Sequence, residues 1–355
     1  MKTKQFQLAL LIVRGQPWHN AHQGLHKQCL DIAEQTGVII GSSFCARDPK
    51  NTFKWTERRD MITATLSEAD LNRTAFIPMR DYHDTNRWVQ EVKAAVKAQF
   101  PDAKNIALVG HFKDASSFYL SKFPGWTLIE QKTALEEGLS ATLIREYYFS
   151  EEASWPVIKT MLKPLVPAGV LEYLSLWRLK PEYAELKQEH SDLKAERAKW
   201  SGTPHPSKFI TVDAVVRCND HILLVQRAKS PGKGLWALPG GHLEEDEWLI
   251  QGALRELSEE TSLDIMGYNL EAALTAVTVF EDPQRSLRGR TITHAHYFDM
   301  GERRLLPEVK AKSDAKFVDW IHISRLPSLA ESAFEDHATI WAARPEGRPV
   351  GLPQD

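Results

Sequence analysis

Cysteine is scarce in this chain. Three cysteines, Cys29, Cys45 and Cys218, are scattered through 355 residues with no C-x-x-C pair. That excludes a disulfide framework and a thiolate zinc site, and it fits reduced thiols in a cytoplasmic protein. Long hydrophobic runs are missing too. The first apolar stretch, Leu8 to Val13, is stopped by Arg14; it is too short for a membrane span and lacks a cleavage site. Charge of one sign is also missing. A formal net charge of −3 argues against a broadly basic binder of nucleic acid or membrane surfaces. No repeat period relates the two halves, and no tract is of low complexity. What remains is an ordinary globular composition in a chain long enough for two cores.

The first 150 residues alternate strand and helix patterns. Apolar runs at 8–13, 38–42, 75–78 and 106–110 read as strands buried on both faces, separated by helical stretches at 22–34, 56–66 and 88–100. That alternation predicts a Rossmann-like domain with a parallel sheet, ligands sitting beyond the carboxyl ends of its strands. From Lys180 to Trp200 the chain turns charged and helical, with Tyr183, Leu186, Leu193 and Trp200 on a narrow apolar stripe. The stripe suits a surface helix linking domains or a homo-oligomer contact, and is too short for a coiled coil. Residues 201–206, Ser-Gly-Thr-Pro-His-Pro, then break regular structure. The expected organisation is a first domain over 1–180, a charged helical linker over 181–206 and a second domain over 207–355. In the second, runs at 209–216 and 221–226 form a hairpin around Cys218-Asn219-Asp220, and further strands lie at 273–280, 291–298 and 316–321.

Leu249 to Ser262 reads as a helix on which Glu256, Glu259 and Glu260 stand at i, i+3 and i+4, on one face. Like charges so placed repel, and a hard cation with oxygen ligands would relieve them. A solvated acidic face is the plain alternative. The surroundings go further: Gly241, Glu247, Arg255-Glu256-Leu257, Glu259-Glu260 and Leu263 match the Nudix box, G-x5-E-x7-R-E-U-x-E-E-x-G-U with U apolar, at every specified position except Ser262, which replaces a glycine. The resemblance implies an α/β/α sandwich with a mixed sheet, a Mg2+ or Mn2+ site on Glu256, Glu259 and Glu260 with Glu247 assisting, and Arg255 orienting a glutamate by ion pairing. In it, Glu256 and Glu259 carry the catalysis. Serine at position 262 would have to adopt a glycine-like left-handed conformation at a cost of roughly 1–2 kcal/mol. Arg285, Arg288 and Arg290 could hold a pyrophosphate or form a solvated basic loop; Trp236 and Phe280 could stack on a base or fill the core.

After the first strand comes Arg14-Gly15-Gln16-Pro17-Trp18-His19-Asn20-Ala21-His22, which places two histidines at a helix amino terminus, a location suited to phosphate. An H-x-x-H pair alone is as compatible with idle surface histidines. Further on, Ser140, Thr142 and Arg145 bring hydroxyls and a guanidinium to a second helix start. Together the two segments resemble the nucleotidyltransferase superfamily, most of all the archaeal-type NMN adenylyltransferases. The stretches with Trp55-Thr56-Glu57-Arg58, with Asn86 and Trp88, and with Gly110-His111-Phe112-Lys113-Asp114 also look like that family. The order of the halves is similar to the bifunctional bacterial NMN adenylyltransferase/ADP-ribose pyrophosphatases.

That resemblance implies adenylyl transfer from ATP to NMN in the first domain and cleavage of ADP-ribose to AMP and ribose 5-phosphate in the second, with no nucleic-acid or membrane partner. It implies that His19, His22, Arg145, Arg14 and Thr142 face the triphosphate, that Gln16, Lys113 and Asp114 help bind nucleotide, and that Asn86 and Trp88 hold nicotinamide. Trp88 has a rival reading as a core residue of its helix. The first motif also departs from the family, with Val13 and Ala21 replacing glycines and Gly15 an aromatic residue. The departure leaves room for a nucleotide-sensing first domain with weak turnover.

Overall fold

The computed structural model describes residues 4–82, 85–110, 120–130, 139–203 and 206–343. The chain divides into two compact units, Met1–Gln188 and Glu189–Asp355. Among the described residues, no helix is long and apolar enough to cross a membrane.

The first unit runs β1 (Phe6–Val13), α1 (Asn20–Ile32), β2 (Ala33–Ile40), α2 (Trp55–Thr63), α3 (Glu68–Leu71), β3 (Thr74–Pro78), α4 (Thr85–Gln99), β4 (Ile106–Gly110), β5 (Thr127–Glu130), α5 (Ala141–Tyr148), α6 (Trp155–Leu162) and α7 (Ala168–Trp177). All five strands are parallel, in the order β3-β2-β1-β4-β5. Alternate residues of β1 serve opposite faces: Ala9, Leu11 and Val13 pack with Leu25 and Cys29 of α1, while Leu8 and Leu10 pack with Val92 and Val96 of α4. Burial on both sides explains why the strands read as continuous apolar runs. The sheet changes direction between β1 and β4, the place where a doubly wound sheet opens a crevice for ligands.

Two features differ from the sequence expectation. Strand β2 starts at Ala33 and stops at Ile40, because the polar Gln35 and Thr36 pair with Leu8 and Ala9 of β1, and Ser42 turns left-handed at φ 48°. The four-residue edge strand β5, half-exposed, carried too little pattern to be read.

Helix α8 (Pro181–Ala198) occupies the charged stretch, and the division between units falls inside it. Tyr183 and Leu186 belong to the first unit's core; in the second unit Arg197 Nε donates to Leu287 O (2.7 Å) and Trp200 packs edge-on against Phe209.

The second unit contains β6 (Lys208–Cys218), β7 (His221–Arg227), β8 (Trp236–Ala237), β9 (Gly240–His242), α9 (Leu249–Thr261), β10 (Leu274–Phe280), β11 (Arg290–Asp299), β12 (Ala315–His322), α10 (Leu326–Leu329) and α11 (His337–Ala342). Its mixed sheet runs β10-β11-β6-β7-β12, with β6 and β11 parallel. Leu257 of α9 packs on one face with Ala214 and Val216; Ile340 and Trp341 of α11 pack on the other with Val215 and Leu224. The expected hairpin forms at Asn219, but β6 and β7 pair only at Arg217–Ile222 and Cys218–His221. Beyond that they splay, β9 pairing with Thr211–Asp213 of β6 and β8 with Val225–Gln226 of β7. The split holds a cavity.

Candidate active sites

In the first unit the residues after β1 are held by bonds from distant segments. Gly15 sits at φ +62°, a conformation in which an aromatic residue would be strained, so the departure from the family motif at this position matches the backbone here. Gln16 spends its whole side-chain amide on Phe53, donating to its carbonyl (2.9 Å) and accepting from its N–H (2.8 Å). Its own carbonyl accepts from Arg145 (2.5 Å), and Arg145 also donates to Thr142 Oγ1 (3.3 Å). The loop after β1 and the start of α5, 129 residues apart in sequence, therefore meet. Ser140 caps α5 by accepting from Leu143 N. Burial lowers the Arg145 pKa to about 10, which still leaves the guanidinium charged.

His19 occupies the position just before α1 without a capping bond from its ring, and the ring stacks on His22 with centroids 3.7 Å apart. Burial, then the neighbouring His19, holds His22 well below the ordinary imidazole range, so it is neutral near pH 7. Trp18, fully buried beneath them, donates its indole N–H to Gln23 Oε1 (2.7 Å). Arg14 and Thr142 are exposed. Asn86 and Trp88 lie on α4, across the sheet from α1; Trp88 is half-buried and packs edge-on against Phe123. Lys113 and Asp114 lie outside the described residues.

Two residues at this edge of the sheet have roles that the sequence did not assign. Buried Arg58 donates to the carbonyls of Arg14, Gly41 and Ser42, binding together the carboxyl ends of β1 and β2. Asp81, just beyond β3, accepts from both the N–H and the hydroxyl of Ser42. Arg58 lies in the family-like stretch 55–58, but nothing local marks an arginine whose partners are distant carbonyls.

In the second unit, Arg255 organises the glutamates. It donates to Glu247 through Nε and NH2 (2.9 and 2.7 Å), to Glu256 (3.0 Å), to Glu259 (3.5 Å) and to His242 O (3.1 Å). Glu260 turns the other way, accepting from Gly240 N at 3.3 Å. Burial, then the charge of Glu256, pushes Glu260 up to about 8; burial also raises Glu256. The side chain of Glu259 is half-exposed. Among the described residues, no three His, Cys, Asp or Glu side chains form a ready cage for an ion. One reason is visible: Arg255 draws Glu247, Glu256 and Glu259 toward itself, away from Glu260. The donor set nevertheless fits a divalent cation: Glu260 is buried and repelled by Glu256, and Glu256, Glu259 and Glu260 share one helix with a single arginine between them. Gly241 leaves room beside them; a Cβ there would fall 2.3 Å from Glu256 Oε1. Ser262 takes the left-handed conformation at φ 56°, as the missing glycine requires.

The cavity between the splayed strands is lined by Glu260 and Gly241 at the glutamate helix, then by Asp213, Arg227, Arg288 and His337 among others. Arg285, also on the wall, is engaged by Asp336 in a two-bond pair (2.9 and 2.7 Å), and Arg290 donates to Glu281 O. Of the three loop arginines, Arg288 remains nearest to free use, 3.4 Å from Glu335. Trp236 and Phe280 pack against the core on the α11 side. Sequence patterning did not single out Asp213, Arg227 or His337, because each lies in or beside an otherwise apolar element.

A family model for the NUDIX domain matches residues 208–342. A nicotinamide/nicotinic acid mononucleotide adenylyltransferase of Acinetobacter baylyi is 32% identical over 186 residues, 52% of this chain and 94% of that protein. An ADP-ribose pyrophosphatase of Methanocaldococcus jannaschii is 32% identical over 126 residues, 36% of this chain and 68% of that one. The crystal structure of a bifunctional NMN adenylyltransferase/ADP ribose pyrophosphatase of Francisella tularensis, complexed with AMP and an Mn ion, superposes with a TM-score of 0.86 at 32% identity, covering 94% of this chain and 97% of that one. With one relative matching each half and another matching both in order, the chain belongs to the family of bifunctional NMN adenylyltransferase/ADP-ribose pyrophosphatases.

Proposed function

We propose that the first unit transfers the adenylyl group of ATP to nicotinamide mononucleotide, giving NAD and pyrophosphate, and that the second hydrolyses ADP-ribose to AMP and ribose 5-phosphate. The observation that carries this reading is the presence in one chain of both constellations, Arg145 meeting the Gln16 loop beside stacked His19 and His22, and Arg255 bound to three glutamates.

In the first reaction the 5′-phosphate of NMN attacks the α-phosphate of ATP, and pyrophosphate leaves. No covalent enzyme intermediate is required, so positioning and charge stabilisation suffice. His19 and His22 would donate ring N–H groups to the phosphates, helped by the amino terminus of α1. Arg14, Arg145 and Thr142 would hold the outer phosphates, and Gln16 would position their loop. Asn86 and Trp88 would contact the nicotinamide. Lys113 and Asp114 keep the nucleotide-binding role that the family resemblance implies.

In the second reaction Glu256, Glu259 and Glu260 would hold a divalent cation, Mg2+ or Mn2+, with Glu247 in support through Arg255. When bound, such an ion polarises a phosphoryl oxygen and makes water a better nucleophile. Arg255 would keep Glu256 in position, and Arg288, which lines the cavity, would meet a substrate phosphate.

The test follows NAD formation from NMN and ATP, and AMP release from ADP-ribose, before and after Glu259→Gln in the full chain. Hydrolysis is expected to fall by about 10²- to 10⁴-fold. NAD formation should stay within about twofold, because Glu259 belongs to the second unit and the adenylyl-transfer residues to the first. Unchanged hydrolysis would remove the metal assignment. Absence of NAD formation by the unaltered protein would leave the first unit as a nucleotide sensor.

A further inference from the structure

The cavity of the second unit contains two buried polar groups that the hydrolysis just described does not use. His337, at the start of α11, accepts from Leu238 N through Nδ1 (2.9 Å). That bond fixes the tautomer: Nδ1 is the acceptor, so Nε2 carries the proton. Burial holds the ring neutral. Nε2 stands 4.0 Å from Asp213 Oδ1, too far for a hydrogen bond. Asp213 is fixed from its other side, where Oδ2 accepts from Thr293 Oγ1 (2.5 Å). Oδ1 and the Nε2 proton thus lie side by side on the cavity wall, one acceptor and one donor, each held by a bond on its far side.

The backbone leaves Oδ1 accessible. Gly240 pairs with Asp213 across β9 and β6, and a Cβ on it would fall 2.6 Å from Oδ1. Any other residue there would crowd the carboxylate. Glu260 lines the same cavity, so a substrate whose phosphates lie at the glutamate helix can extend toward the pair.

We propose that Asp213 and His337 form a reading head for the base of the substrate: Asp213 Oδ1 accepts from an exocyclic amino group, and His337 Nε2–H donates to the adjacent ring nitrogen. This rests on the ADP-ribose reading above and specifies which half of that molecule the cavity discriminates. A 6-aminopurine offers a donor beside an acceptor, complementary to the pair. A 6-oxopurine offers the reverse polarity, oxygen against carboxylate and N–H against N–H. A site with buried, prepaid partners rejects such a mismatch strongly, because both of its groups are left unsatisfied.

The experiment compares ADP-ribose with inosine diphosphate ribose, which differs only in the base edge, using the full-length protein and Mg2+. The unaltered protein is expected to prefer ADP-ribose by about 10- to 100-fold in kcat/KM, chiefly through KM. In Asp213→Asn, the side-chain oxygen can still accept from Thr293, which turns the NH2 toward the cavity as a donor. The preference should then collapse or reverse, read as the ratio of kcat/KM for the two substrates. Thr293→Val, similar in shape, removes the bond that both holds Asp213 and favours its carboxylate against burial, and should weaken the preference part-way. Equal use of both substrates by the unaltered protein overturns the proposal, as does an Asp213→Asn variant that loses kcat on both while keeping their ratio; the latter result would mark the pair as structural or as contacting the ribose, common to both molecules. If ADP-ribose is not hydrolysed at all, the functional reading fails separately. The pair is then judged by binding of the two molecules: a base preference abolished by Asp213→Asn supports it, and equal binding removes it.

Discussion

The two units handle phosphate chemistry with opposite electrostatics. The first gathers donors: two stacked histidines at a helix amino terminus, one of them held neutral by burial, and an arginine whose burial leaves it charged. The second gathers acceptors, with Glu256 and Glu260 raised first by burial and then by neighbouring glutamates, and one arginine bound to Glu247, Glu256 and Glu259. A donor site can engage an anionic substrate directly. An acceptor site repels it until a cation intervenes. The two constellations also differ in how they are assembled. The glutamates come from one helix and the loop before it, so their geometry follows from helix periodicity. The donor site depends on contacts between segments 37 to 129 residues apart.

The strongest way to break this contrast is at Arg58. Its guanidinium satisfies three backbone carbonyls where β1 and β2 end, and Arg58→Met would leave them buried and unpaired. The expected cost is about 3 kcal/mol in the first unit. Urea unfolding should show an early transition assigned to that unit, with NAD formation falling and ADP-ribose hydrolysis unaffected. A single unshifted transition would show that the carbonyls find other partners.

Arg255→Met probes the opposite side. It removes the donors that hold Glu247 and Glu256, while leaving every glutamate in place. Hydrolysis should fall about 10- to 100-fold, partly recoverable at higher cation concentration, as expected when the groups that orient metal ligands are lost. A titration of activity against Mg2+ distinguishes this from loss of a ligand, which added cation would not repair in the same way.

These two arginines also show what was legible in the sequence. Arg255 stands one residue before Glu256, and its pairing with a glutamate followed from a local motif. Arg58 stands in a family-like stretch that gives it no role, and its partners are carbonyls at strand ends, which have no sequence signature. The same distinction applies to the fold. Strands buried on both faces were readable as apolar runs, whereas β5 was too short and the splaying of β6 from β7 depends on two short strands, β8 and β9, invisible to periodicity. Asp213 and His337 were missed for a related reason: a single polar residue in an apolar strand or a short helix looks like noise until the cavity between them is seen.

A smaller difference between the units is expected in acid. His26 in the first unit is buried, 3.3 Å from Thr36 Oγ1, with Asp70 and Arg73 the nearby charges. Burial lowers its pKa from 6.5 to about 4. The unfolded chain therefore takes up the proton first as pH falls. Stability is at its full value above pH 6.5 and declines toward pH 4, by about 2 kcal/mol at pH 5. His26→Gln should flatten that decline in urea unfolding measured at pH 7 and pH 5. An unchanged slope would place the acid sensitivity elsewhere, in the second unit's buried His337 among other groups.

The smallest expected effect concerns Ser262, the one specified position at which the glutamate motif is broken. The residue occupies the left-handed conformation that its glycine counterpart would accept freely, which costs a serine about 1–2 kcal/mol. The structure shows what offsets it. Ser262 Oγ donates to Lys310 O (3.0 Å), and the same segment donates from Lys310 N to Thr261 O and from Lys312 N to Glu260 O, closing the carboxyl end of α9. Ser262→Gly would relieve the backbone but lose the Oγ bond, worth about 1 kcal/mol, and would add freedom to the unfolded chain worth about 0.5 kcal/mol. The gains and losses nearly cancel, so stability should shift by less than about 1 kcal/mol and hydrolysis should not change. Thermal unfolding decides it. A clear stabilisation would mean that the Lys310 bond contributes nothing, and that the serine is tolerated at the end of this helix because two backbone bonds already hold it.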